Sequence, residues 1–70
     1  MRGYVVSRGG TFGAVVREYT TESGVPMVVI RSGPLRWLTP VPRHDAIQLT
    51  SAYQAEALEE AARILEKERG

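Results

Sequence analysis

Two structural periods divide this chain, and they meet near residue 50. Up to Leu49, short β-branched and aromatic runs are broken by glycine and proline, the pattern of brief strands joined by turns. From Ser51 onward the apolar residues recur every three to four positions, the pattern of one amphipathic helix. Charge divides at nearly the same place. Residues 1–43 hold six arginines and two glutamates, while residues 44–70 hold six acids and three bases. A net charge of +1 therefore conceals a basic strand region and an acidic helical one.

The 70 residues form one domain, β-rich over 1–49 and helical over 51–69. A chain of this size buries only about 60% of its unfolded surface, so its core is thin. With no cysteine and one histidine, neither disulfides nor a zinc site can reinforce it. What remains is a well-closed sheet, a docked helix or a partner chain, which makes a homodimer one expectation. The longest apolar run, Val25 to Ile30, contains Pro26 and falls far short of the roughly 20 residues of a membrane span. Met1 to Arg8 has no apolar stretch of signal-peptide length. The expected location is the cytoplasm, without membrane insertion.

Tyr4–Ser7, Phe12–Tyr19 and Val25–Arg31 read as three strands, separated by Arg8-Gly9-Gly10 and by the polar turn Thr20–Gly24. Ser32-Gly33-Pro34 leads into a fourth strand, Leu35–Thr39. Pro40-Val41-Pro42 imposes an extended segment. Ala46–Leu49 is a short fifth strand candidate. The fold class is α+β: a small antiparallel β-barrel or curled meander of four to five strands with one C-terminal α-helix. In that helix Ser51 and Gln54 have capping-box spacing. Leu58, Ala61, Ala62 and Leu65 form an i, i+3, i+4, i+7 stripe, widened by Ala55, Ala57 and Ile64. The stripe is the expected surface for docking or for a dimer. Glu59 and Arg63 are spaced for an ion pair, Lys67 and Arg69 suit the helix C-terminus, and Gly70 ends it.

The order of features from Gly3 to Ala62 resembles a PRC-barrel-type domain. Its two opening strands around a glycine turn are similar to Tyr4–Val15, and its turn and apolar strand to Ser23–Ile30. A strand ending in a Val-Pro or Ile-Pro step corresponds to Leu38–Pro42, and a short strand with a Ser/Thr-led segment to Ile47–Ser51. This chain departs in a short loop after the third strand and in a longer terminal helix. The resemblance implies a non-enzymatic adaptor carried on a larger assembly, with no shared catalytic residues.

No set of residues points to catalysis. His44-Asp45 is the one adjacent acid–base pair, and it follows two prolines in what reads as a surface loop. Arg8–Gly13 lacks the Lys-Ser/Thr of a phosphate loop and reads as a turn, with Gly9 or Gly10 at positive φ. One histidine and scattered carboxylates make no metal site, and no cofactor is expected.

The arginines and aromatics are more informative. Arg17 and Tyr19 alternate onto one face of the second strand together with Val15. If Val28, Ile30 and Leu38 point inward, Met27, Arg31 and Trp37 point outward. With Arg36 these residues (Arg17, Tyr19, Met27, Arg31, Trp37) would form a binding face for a protein or for single-stranded nucleic acid. The competing expectation places Trp37 in the core beneath the helix. The leading function is a protein-interaction module, adaptor or regulatory; the alternative is nucleic-acid binding by the arginine face, against which the near-zero net charge argues.

Overall fold

The computed structural model describes residues 1–69; the expected stop at Gly70 lies outside them. Five antiparallel strands precede one helix: β1 (Tyr4–Ser7), β2 (Phe12–Thr20), β3 (Pro26–Ser32), β4 (Trp37–Pro42), β5 (Ala46–Gln48) and α1 (Gln54–Arg69). They form one sheet in the order β4-β3-β2-β1-β5. The outermost strands, β4 and β5, are not paired with each other, so the sheet stays open and is not a closed barrel.

It is nevertheless curled. A single 3₁₀ turn, Arg43–Asp45, joins the two edge strands. Four inter-strand steps would separate the edges of a flat sheet by about 19 Å, more than so short a connection reaches. The inner face shows the same curl. Val5, Val28, Ile30 and Val41, with Met1, Val15 and Ala46, make a buried cluster drawn from all five strands, and no helix covers it. The sheet folds over its own inner face, and each fully buried Val or Ile there contributes about 1.5–3 kcal/mol.

Gly13 permits the bend. A Cβ at this position would run into the Arg31 carbonyl and lie 2.6 Å from Ile30 Cγ2. Only glycine lets β2 approach β3 this closely.

The outer face carries the second cluster. Tyr4, Val6, Phe12 and Ile47 alternate outward from β1, β2 and β5 and meet Leu49, Ala57, Ala61, Ile64 and Leu65. Ala57 and Ala61, at 0% and 2% exposure, let the helix backbone lie close to the sheet. The docking stripe is thus Ala57, Ala61, Ile64 and Leu65. Of the expected stripe Ala61 and Leu65 are in place, whereas Leu58 is 53% exposed and Ala62 lies on the solvent side. The smallest side chains, not the largest, sit at the closest approach.

Several local expectations are corrected. β4 begins at Trp37, not Leu35, and runs through Pro40 and Pro42. An edge strand tolerates both because their missing N–H groups face away from β3, and they thereby remove donors that an added strand would need. The Ser51–Gln54 capping box is not formed. Ser51 Oγ accepts from the Tyr53 N–H (3.1 Å) and donates to the Glu56 carboxylate (2.9 Å), and the helix starts at Gln54. Among the described residues Glu59 and Arg63 make no ion pair. The neighbouring Glu60 anchors the helix instead. Its carboxylate accepts from the Thr50 N–H (3.0 Å), the Thr50 hydroxyl (3.1 Å) and the Ser51 N–H (3.3 Å).

Candidate interaction surface

A β-bulge decides which residues share the exposed sheet. Val15 pairs with Ile30, but Arg17 pairs with Val29, so the register slips at Val16. One extra residue turns the remainder of β2 over. Val15 therefore faces the inner cluster, while Arg17 and Tyr19 face outward; the three do not share a face as their alternation predicts. Beyond the bulge, the outer face presents three rows across β2, β3 and β4: Tyr19–Met27–Pro42, Arg17–Val29–Pro40 and Ala14–Arg31–Leu38. The Arg17 guanidinium lies over the Tyr19 ring, 5.3 Å from its centroid.

This half of the face carries no carboxylate. Glu18 is turned inward by its place in β2 and pairs with the Met1 ammonium (2.6 Å) and Arg43 (3.9 Å). The hydrogen bond from that ammonium holds the Glu18 carboxyl below its ordinary pKa. On α1, Glu68 is drawn toward Arg8 at 3.5 Å, Glu60 is held by Thr50 and Glu56 by Ser51. Arg8 also donates to the His44 carbonyl (2.8 Å), and the His44 side chain is exposed.

Trp37 and Leu38 exchange the faces assigned from sequence. Trp37 pairs with Ser32 and shares a face with Thr39 and Val41, whereas Leu38 pairs with Arg31 and faces outward. Neither is core. Leu35, Trp37 and Leu38 are 76%, 66% and 57% exposed, because α1 covers the β1–β5 half of the sheet and not the β3–β4 hairpin. The core position expected for Trp37 is therefore wrong. The total surface of 5038 Å² exceeds the roughly 4,300 Å² expected of a compact monomer of this length.

The hairpin tip brings Arg36 between these apolar residues. Its N–H closes a turn on the Gly33 carbonyl at 3.1 Å, with Pro34 following Gly33. Arg36 has φ +54°, the sole non-glycine residue in the left-handed region among those described. Glycine is the usual occupant there, and an L side chain costs about 1 kcal/mol.

Between this hairpin and the helix start lies a cleft of about 310 Å³, lined by Tyr4, Phe12, Gly13, Ala14, Arg31, Gly33, Arg36 and Gln54. Tyr4 and Phe12 stack nearly parallel, 5.6 Å between centroids and 6° between planes. Neither Arg31 nor Arg36 makes an ion pair or a side-chain hydrogen bond among the described residues. Of the residues singled out from sequence, the structure brings Arg17, Tyr19 and Met27 together and places Arg31 beside Arg36. Trp37 stands apart, on the other sheet face. Phe12 and Gln54 were not foreseen. The hairpin register supplies the missing signal, since pairing Val6 with Phe12 sets Tyr4 diagonal to Phe12 on one face.

The fold and this surface define a small α+β domain whose sheet is half covered by its own helix. No protein-family model, curated protein or solved structure matches the chain. No helix among the described residues is long and apolar enough to cross a membrane.

Proposed function

We propose that this chain is a non-enzymatic protein-interaction module, of the adaptor or regulatory kind, which binds a partner through the β3–β4 hairpin. The carrying observation is the exposure of Leu35, Trp37 and Leu38 around Arg36. Trp and Arg are the residues most enriched at binding hot spots. The adjoining rows add Arg17 and Arg31 without a carboxylate, so the matching partner surface is apolar at its centre and acidic at its rim. The PRC-barrel resemblance implies the same kind of role. A homodimer through the helix is less favoured. Ala61 and Leu65 are already used in docking, and Leu58 with Ala62 falls well short of the roughly 800 Å² per partner of a stable interface.

The test compares proteins retained by the wild type, by Trp37→Ser with Leu35→Ser, and by Leu58→Ser as a folded control. A partner lost only with the hairpin variant, and binding again from purified components, supports the proposal. Retention of the same partners by all three contradicts it.

The second reading, nucleic-acid binding, is favoured by the stacked Arg17–Tyr19 pair on a face free of acids. It requires affinity for single strands that falls steeply with salt. Salt-insensitive binding, or none at low salt, rejects it.

A further inference from the structure

We propose that the cleft between the Tyr4–Phe12 ring pair and the β3–β4 hairpin binds a nucleotide, with Arg31 and Arg36 on the phosphate and the aromatic wall beside the base. The proposal goes beyond the hairpin interface: it shares Arg31 and Arg36 with that surface, but Leu35 and Trp37 do not line the cleft.

Four observations converge on this site. First, Arg31 and Arg36 line one cleft whose other lining residues include no carboxylate. Two like charges facing one space are unfavourable until an anion enters it, and a dianionic phosphate balances both. The planar guanidinium fork also matches phosphate oxygens two at a time. Second, the volume of about 310 Å³ exceeds what a lone carboxylate or phosphate fills and lies at the small end of the ligand-pocket range of roughly 300–1,000 Å³.

Third, Tyr4 and Phe12 are only half-buried. Their nearly parallel rings offer the wall on which a planar base stacks. Gly13, Ala14 and Gly33 keep the rest of the lining low. Fourth, Arg36 occupies a backbone conformation in which glycine would sit without strain. Strain retained beside a cleft is a signature of a side chain held for binding. The start of α1 at Gln54 adds the positive end of a helix dipole to the same space.

The experiment is an amide NMR titration of the whole protein with AMP, adenosine, inorganic phosphate, a short single-stranded RNA and a pentaglutamate peptide, at low salt. AMP is expected to give saturable shifts centred on Gly13, Arg31, Gly33, Arg36 and Gln54. Adenosine and phosphate are each expected to bind at least about tenfold more weakly, the scale of a lost charge-assisted contact. RNA binding through the same amides more tightly than AMP assigns the nucleotide to a strand. RNA no tighter than AMP assigns it to a free ligand.

Arg31→Gln and Arg36→Gly should each weaken AMP by about tenfold. Arg36→Gly removes the guanidinium while relaxing the backbone, so unchanged or raised thermal stability separates lost binding from lost folding. The proposal is overturned by the absence of saturable AMP and RNA shifts, by shifts centred elsewhere, or by variants that bind as the wild type does. Phosphate or pentaglutamate binding as tightly as AMP also overturns it.

Discussion

The outer face of this sheet has two halves built on different rules. Over β1 and β5 it presents Tyr4, Val6 and Ile47, and a helix lies on them through Ala57 and Ala61. Over β2, β3 and β4 it presents Arg17, Tyr19, Met27, Arg31 and Leu38, and nothing lies on them. The register slips at Val16 and β2 approaches β3 closely at Gly13, where the two halves meet. The sixteen-residue helix docks on one half and leaves the other open. The docked half is built from small side chains in close approach, and the open half carries long and charged ones. Net charge conceals this arrangement, because the acids that balance the arginines are on the helix.

The comparison breaks most decisively at the docked half. Ala57→Glu puts a charge at a position with 0% exposure and should cost about 3 kcal/mol or more, abolishing cooperative melting by circular dichroism. Gly13→Ala tests the bend between the halves. The added methyl must displace the Arg31 carbonyl, and a loss of about 2 kcal/mol is expected in chemical denaturation. An unchanged midpoint in either case would mean that the halves are not organised as described.

Acid titration sharpens the comparison at the loop that holds the helix. The backbone hydrogen bond from Thr50 holds Glu60 below its ordinary pKa, helped by the Thr50 hydroxyl and the Ser51 N–H. A depressed folded-state pKa stabilises above the unfolded value, and that stability is lost as pH falls through the folded value. Thermal stability should therefore decline below about pH 4.3, the ordinary glutamate value. Glu60→Gln should lower the midpoint at neutral pH and flatten this acid dependence. An identical pH profile in the variant would remove Glu60 from the account.

The open half should respond weakly or in the opposite direction. Arg36→Gly is expected to stabilise the protein by about 0.5–1 kcal/mol, because glycine accepts φ +54° without strain. Trp37→Ser and Leu38→Ser should change stability by no more than about 0.5 kcal/mol. A large loss from either would show that the hairpin is structural.

The strands β1, β2 and β3 and the helix were legible because each carries its own period, and Gly10 took the positive φ that its turn requires. Three features were not. The bulge at Val16 leaves no mark in composition, yet it reverses Arg17 relative to Val15. Pro40 and Pro42 read as an extended segment beyond the fourth strand, whereas the edge of the sheet takes them into that strand. Which half the helix covers depends on the backbone approach allowed by Ala57 and Ala61, a tertiary choice that the Leu58–Leu65 stripe does not encode. The cleft was hidden for a related reason. Tyr4 and Phe12 meet in the β1–β2 hairpin, but Arg36 is distant in sequence and joins them only in the folded sheet. The one local clue is an arginine where a hairpin usually places glycine.

Trp37 is the chain's only tryptophan, and its fluorescence reports directly on the exposed β3–β4 hairpin. In the isolated protein the account predicts long-wavelength emission like that of indole in water, open to acrylamide quenching and unchanged on dilution. Short-wavelength emission shielded from acrylamide would place Trp37 in a core or a self-interface, and would contradict the exposed hairpin on which the proposed function rests.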